Sequence, residues 1–375
     1  MKILLIGEYS NVHATLAEGL RQLGHHVTVV SNGDEWKDYP RDIDVSRPQG
    51  SLAGLRLLMR LYCLLPRLRG YDIVQLINPM FFELRAERLF WFYDYLRRHN
   101  KKMVLGAFGM DWYWVYTCTV EKPLRYSDFN FGDQVRTDEA AIREQRDWLG
   151  TTKETLNKKI AQDADAIVTG LYEYDVCYRP HFPEKTQFIP FPIKLPETYS
   201  TKRCKASKVS VFIGISRGRS AYKGTDIMLQ AAKDLHTKYA YRMKLNIAEG
   251  VPFEEYQQMM EGSDAILDQL YAYTPSMNPL LAMSKGIICI GGGEPENYNI
   301  IHETELRPII NVQPSYESVY QELEQLILHP ERIPQLKAER REYVKRHHDY
   351  LKVARQYEQL YISLLSLSSG NQPRR

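Results

Sequence analysis

MKILLIGEYSNVHATLAEGLRQLGHHVTVVS, residues 1–31, carries three patterns in succession. Residues 2–6 (KILLI) form an apolar run of strand length. Residues 7–11 (GEYSN) are turn-forming, and residues 13–23 place apolar side chains at helical spacing until Gly24 ends the helix. A β-branched run follows at residues 26–30. Strand, helix and strand in about thirty residues make one βαβ unit. Such a unit demands parallel strands, because the chain must cross back before pairing again.

Working outward, further strand patterns occur at YDIVQLI (71–77), MVLGAF (103–108), DAIVT (165–169) and residues 187–190. The proline-studded stretch PFPIKLPETYSTKRCKASK (190–208) breaks the alternation and reads as a linker. A second series then begins: VSVFIGI (209–215), MKLNIAE (243–249), AILDQL (265–270), IICIGGG (287–293) and PIINV (308–312). Two or three amphipathic helices fill residue 316 to about residue 367. The expected fold class is α/β, with two Rossmann-like domains facing a central cleft. The expected boundaries are 1–192, a linker at 193–208, a second domain at 209–345, a closing helix at 346–367 and a frayed tail at 368–375. Residues 114–152 exceed an ordinary strand-to-helix connection, and read either as a helical excursion or as an acceptor-side lid.

Composition bounds the function. The 375 residues fit two domains at the usual ~100–200 each. At 44% hydrophobic and 25% charged the chain holds enough apolar material to fold. Its 49 basic and 46 acidic residues leave +3, too balanced to argue for nucleic acid. The five cysteines (Cys63, Cys118, Cys177, Cys204 and Cys289) are scattered without paired spacing. That argues against a disulfide framework or a structural zinc site, and for a reducing compartment. The opening apolar run is too short for a signal peptide, and no stretch reaches the ~20 apolar residues of a membrane span. The expectation is a cytoplasmic protein, soluble or held at the inner face of the membrane. Residues 45–71 contain no acid but five arginines, Arg47, Arg56, Arg60, Arg67 and Arg69, around an apolar helix. Residues 52–69 thus read either as a helix packed on the sheet with its arginines in solvent, or as a peripheral contact with anionic membrane.

Ligands of doubly wound sheets bind outside the carboxyl ends of the strands, so the strand-to-helix loops hold the candidates. The first loop lacks GxGxxG, but its helix start offers N–H groups to an anion, and His13 there is a candidate base. Asp111, flanked by Trp112, Tyr113 and Trp114, suits a sugar hydroxyl. After VSVFIGI, Arg217, Arg219 and Lys223-Gly224 suit a diphosphate at a helix start. Gly291-Gly292-Gly293-Glu294-Pro295-Glu296 offers close backbone approach and two carboxylates. Each also has a plain reading as a cap, a solvated charge or a tight turn. Asp163-Ala164-Asp165 has the look of a metal-binding DxD, but lies at a helix-to-strand junction and reads as structural.

Four stretches in order resemble the retaining "glycosyl transferases group 1" family of the GT-B fold: VFIGISRGRSAYKGTDIMLQAA, LNIAEGVPFEEY, LLAMSKGIICIGGGEPE and LHPERIPQLKAERREYVKRHHDYLKVARQYEQLY. The resemblance covers roughly residues 209–365, with a weaker match at GEYSNVH. It implies a final helix that crosses back to the first domain. It implies transfer of a sugar from a nucleotide-sugar donor, UDP being the first guess, to a glycan or lipid-linked acceptor, with retention and without metal or cofactor. Arg217 or Arg219 with Lys223 would hold the diphosphate, and Glu249-Gly250 would lie near the base. Glu296 takes the family's GGxxE position. The family's pair of glutamates, eight positions apart, falls on Tyr273 and Leu281. Ser276, Met277 and Asn278 fill the loop between them, and Glu294 is the nearest replacement carboxylate. Two rival readings share the fold: a sugar-nucleotide 2-epimerase, and a sugar-nucleotide binding protein without catalysis.

Overall fold

The computed structural model describes residues 1–197 and 208–369. Part of the expected linker, most of the expected tail and Cys204 lie outside the described residues, as does the side chain of Arg217.

The first half runs β1 (Lys2–Ile6), α1 (Val12–Gln22), β2 (His26–Ser31), β3 (Ile43–Asp44), α2 (Ala53–Leu64), β4 (Ile73–Leu76), α3 (Ala86–His99) and β5 (Lys102–Ala107). Then come α4 (Trp112–Tyr116), β6 (Asn130–Phe131), β7 (Gln134–Val135), α5 (Glu139–Trp148), α6 (Thr152–Asp163), β8 (Ala166–Thr169), α7 (Tyr172–Tyr178) and β9 (Thr186–Phe188). Seven strands make a parallel sheet of order β3-β2-β1-β4-β5-β8-β9. The opening βαβ unit is present in register, Lys2 beside His26 through Ile6 beside Val30. Gly7 has φ +85°, and a Cβ there would meet Ile77 at 2.2 Å, so only glycine admits this turn.

The second half holds β10 (Val209–Ile215), α8 (Ser220–Lys223), α9 (Thr225–Lys238), β11 (Met243–Glu249), α10 (Phe253–Met260), β12 (Ala265–Leu267), α11 (Met277–Ser284) and β13 (Ile288–Gly291). It ends with α12 (Pro295–Ile300), β14 (Ile310–Asn311), α13 (Tyr316–Leu328), α14 (Ile333–His347) and α15 (Tyr350–Ser369). A five-stranded parallel sheet of order β11-β10-β12-β13-β14 results. These are the two Rossmann-like domains. The central strands are buried on both faces, as helices on both sides require.

Three adjustments separate expectation from structure. β3 is a two-residue edge strand without a readable pattern. The strand at AILDQL ends at Leu267, which leaves Asp268 in the loop. Residues 114–152 are a helical excursion: α4 runs into a π-turn at Thr117–Glu121, followed by the β6–β7 hairpin and α5.

α15 crosses back to the first domain. Ile193 and Asp349 form a parallel bridge, with Ile193 N donating to the His348 carbonyl at 2.6 Å. α15 then packs on α1, where a Cβ at Gly19 would stand 2.7 Å from the Ala354 Cβ and 2.8 Å from the Tyr350 carbonyl oxygen. Gly19→Val should push the two helices apart and cost about 1–3 kcal/mol. A urea titration that leaves the midpoint unchanged would contradict this close contact.

Candidate functional site

The carboxyl ends of both sheets face one cavity of about 900 Å³. Its first wall is the β1–α1 loop (Ser10 and Asn11), Trp36, Lys37 and Tyr39 from the β2–β3 connection, and Pro192–Lys194. The opposite wall comprises the β10 end (Gly214–Ser216), Lys223, Gly250–Pro252, Asp268, and Ser276–Asn278 with Leu281. Among the described residues three lysines, Lys37, Lys194 and Lys223, line it against one carboxylate, Asp268. Such a lining favours a polyanion.

Each cation is placed by local structure. Lys37 Nζ donates to Asp34 Oδ2 (2.6 Å) and Ser10 Oγ (3.3 Å), which pins it beside the β1–α1 loop. Lys194 pairs with Glu18 at 2.5 Å. Lys223 closes α8, where Gly224 at φ +71° turns the chain directly into α9. Burial lowers the Lys223 pKa, Arg219 lowers it further, and Asp268 and Asp128 oppose the shift. Asp268 is pushed up to about 6 by burial, against the pull of Lys223. Its Oδ2 is buried without a hydrogen-bond partner among the described residues.

α11 starts at Met277 with Ser276 as an extended N-cap whose side chain makes no cap bond. Pro279 has no N–H, so the amides of Met277 and Asn278 are the first-turn donors at the cavity wall. Asn278 Nδ2 donates to Tyr256 Oη at 2.9 Å, which orients both over the cavity.

Of the expected site residues, the structure brings Lys223, Gly250, Ser276, Met277 and Asn278 together in this lining. Gly224 adjoins them as the junction of α8 and α9. Arg219 is exposed over the Tyr222 ring, and Glu249 is the exposed last residue of β11; neither lines the cavity.

His13 and Asp111 require correction. His13 is fully buried, with Nδ1 at 2.8 Å from the Gly7 carbonyl. A carbonyl only accepts, so Nδ1 carries the proton and Nε2 accepts from the Gln75 amide at 3.1 Å. Tyr361 completes the chain by donating to Gln75 Oε1 at 2.8 Å. His13 thus ties α1 to β4 and α15. The N–H groups at the start of α1 are also occupied, because Glu8 accepts from His13 N (3.2 Å) and Ala14 N (2.8 Å). Asp111 is a buried N-cap of α4 that accepts from Trp114 N (2.9 Å) and Tyr178 Oη (2.6 Å). Trp112, Tyr113 and Trp114 pack in the core of the first domain, away from the cavity lining. Asp165 holds Arg97 (2.9 Å), Lys102 (3.0 Å) and the Met103 amide (2.8 Å), as a structural junction would.

Glu294 and Glu296 are taken up by the excursion. Arg125 donates to Glu294 Oε2 at 2.8 Å and to Glu296 Oε1 at 2.5 Å. Glu294 Oε1 also accepts from Tyr126 Oη (2.6 Å), Gln313 Nε2 (2.7 Å) and Asn311 Nδ2 (3.1 Å). Burial alone would raise the Glu294 pKa; the three side-chain hydrogen bonds and the Arg125 charge bring it below the usual value. Tyr273 sits in the same assembly, its hydroxyl accepting from Arg125 N at 2.7 Å and its ring 4.7 Å from that of Tyr126. Glu173 on α7 accepts from the amides of Tyr273 (2.6 Å) and Thr274 (3.0 Å). Arg136 donates to the carbonyls of Ala221 (2.8 Å) and Tyr222 (3.0 Å) and lies 3.8 Å from the centre of the Tyr271 ring. The two positions where the family carries glutamates therefore part company: Leu281 lines the cavity, while Tyr273 is sealed between the domains.

Sequence reasoning missed Asp268, Lys37, Arg125 and Glu173. Only Asp268 left a signal, as an acid that closes an apolar triplet.

No protein-family model matches the chain, and no curated protein matches it in sequence. Solved structures do match in shape. Sucrose-phosphate synthase from Thermosynechococcus elongatus aligns over 98% of this chain and 100% of its own, with TM-score 0.64 and 14% identity. Anabaena HepE in complex with UDP and glucose aligns over 97% and 100%, with TM-score 0.57 and 13% identity. A putative UDP-N-acetylglucosamine 2-epimerase from Listeria monocytogenes aligns over 95% and 94%, with TM-score 0.53 and 10% identity. At such identities the likeness is one of fold: the chain has the GT-B architecture.

Burial lowers the His13 pKa to about 3. Between about 6.5 and 3 the unfolded chain binds a proton that the folded chain excludes, so stability falls as pH falls through that window. At pH 4.5 this amounts to about 2–3 kcal/mol. His348, lowered by burial to about 4, adds a slope of the same sign. NMR titration should find the His13 ring neutral at pH 5; titration near 6.5 would contradict the buried tautomer.

Proposed function

We propose that the protein is a glycosyltransferase that moves a sugar from a nucleotide-diphosphate donor, UDP-linked in the first instance, to a glycan or lipid-linked acceptor, with retention and without a metal. The observation that carries this reading is the cavity, which sets Lys223, the first amides of α11 and the Asp268 carboxylate at the carboxyl ends of two facing sheets. Polyanion-binding groups stand where doubly wound folds bind their ligands. The similarity in fold to HepE, whose structure was solved with UDP and glucose bound, supports the choice of donor.

In this reading the bond between the anomeric carbon and the diphosphate oxygen breaks, and the electron pair stays on the diphosphate. The acceptor hydroxyl oxygen bonds to that carbon from the same face, and its proton passes to the leaving diphosphate. Lys223 and the α11 amides stabilise the charge that gathers there. Asp268 accepts a donor hydroxyl, a task the Leu281 side chain cannot perform. Lys223 draws the Asp268 pKa back down against the rise that burial imposes.

The sealing of Tyr273 favours a second reading, a nucleotide-sugar binder without turnover, because no carboxylate stands at that position. The same-fold 2-epimerase would act without any acceptor. A thermal-shift screen with UDP-, GDP- and dTDP-sugars, followed by product analysis with and without acceptors, separates all three. Transfer is expected, with Lys223→Ala lowering turnover roughly 10²–10³-fold at unchanged stability. Unchanged turnover in Lys223→Ala would defeat the assignment. Stabilisation by nucleotide without any product would establish the binder.

A further inference from the structure

The face formed by residues 52–69 has no part in the proposed chemistry. α2 buries Leu57, Leu58 and Leu61 in the core beside Leu4, Val30 and Val74. A second apolar face points outward. Leu52, Leu55, Met59 and Tyr62 follow one another at helical spacing, and each is 45–56% exposed. Trp91 on α3, 44% exposed, extends this face, its ring 5.1 Å from Tyr62 and stacked on Tyr95 at 5.7 Å.

Cations surround the patch. Arg56 and Arg60 lie on α2 itself, Arg67 and Arg69 follow it, Arg47 precedes it, and all five are exposed. Three carboxylates border them, of which Glu87 lines the same groove as Arg47. Asp44 lies 3.6 Å from Arg60 and is also held by Arg41, and Glu83 accepts from the Arg47 amide at 3.0 Å. An ordinary solvated helix face does not display four large apolar side chains in a row. A protein partner would need an acidic rim around an apolar centre. An anionic lipid surface supplies both at once: acyl boundary for Leu52, Leu55 and Met59, and phosphate for the guanidinium groups. Tyr62 and Trp91 are the aromatic types that settle at headgroup level.

α2 starts after β3, at the carboxyl edge of the sheet. Its head borders a groove of about 620 Å³ shared with Glu83, Arg85, Glu87 and Arg88. Among the described residues no helix is long and apolar enough to cross a membrane, so the contact is interfacial.

We propose that the exposed face of α2, with Trp91, is a membrane-docking surface selective for anionic lipid. It concerns where the protein sits and is independent of the donor reading, which is tested without lipid. The test is co-sedimentation of the full chain with phosphatidylcholine vesicles, with and without phosphatidylglycerol. Binding should require phosphatidylglycerol and weaken as salt shortens the screening length to about 10 Å at 0.1 M. Arg56→Gln should weaken it about fivefold, the effect of one juxtamembrane charge. The double variant Leu55→Glu, Met59→Glu should abolish it with an unchanged circular dichroism spectrum, while Ile362→Glu, at an exposed position on α15, should bind as the parent does. No phosphatidylglycerol-dependent binding at low salt, or full binding by the double variant, would overturn the proposal. So would a dimer that the double variant dissolves and that never binds vesicles, because the face would then pair two copies of the chain.

Discussion

The buried carboxylate of Glu294 is the point on which the arrangement of the two domains turns. Left alone at 4% exposure it would be a costly charge. Four side chains meet it: Arg125 and Tyr126 from the excursion of the first domain, and Asn311 and Gln313 from its own. Arg125 also holds Glu296, so its loss would leave both carboxylates without their cation. Glu173 on the Tyr273 and Thr274 amides and Arg136 on the Ala221 and Tyr222 carbonyls repeat the pattern. In each case the excursion or α7 supplies the group that the second domain lacks. The crossing of α15 onto α1 closes the other end.

This clamp decides which part of the cleft is available. It fills the region around Tyr273 with protein and leaves open the region bounded by Lys223, Asp268 and the start of α11. Among the described residues the open part is lined by three lysines, two of them paired with Asp34 and Glu18, and by one carboxylate with an unpartnered oxygen. The electrostatic character of the cleft therefore follows from packing as much as from composition. A chain of net charge +3 concentrates three lysines in a single cavity.

The fold is legible in the sequence because it rests on local patterns. The KILLI strand, the Gly7 turn and the 3.6-residue periodicity after it are each contained in a few residues, and the structure keeps them in register. Lys223 and Ser276–Asn278 are legible for the same reason, since a strand end followed by a helix start places them. Non-local partners are not. Arg125 and Glu294 are 169 residues apart, and nothing near either one names the other. Asp268 is hidden because the strand pattern of AILDQL runs past Leu267, where the strand ends. His13 and Asp111 mislead because a polar residue at a helix start looks alike whether it faces a ligand or serves the helix. Burial separates the two cases, and burial is a property of the whole fold.

Hydrogen–deuterium exchange with and without a UDP-sugar would show most directly whether the interdomain cavity is the donor site. Protection is expected at residues 214–225 and 276–281 of the second domain together with residues 36–39 across the cleft. Residues 294–297, already held by the Arg125 clamp, should change little. Protection confined to other surfaces, or none in the presence of saturating nucleotide sugar, would contradict a donor site between the domains.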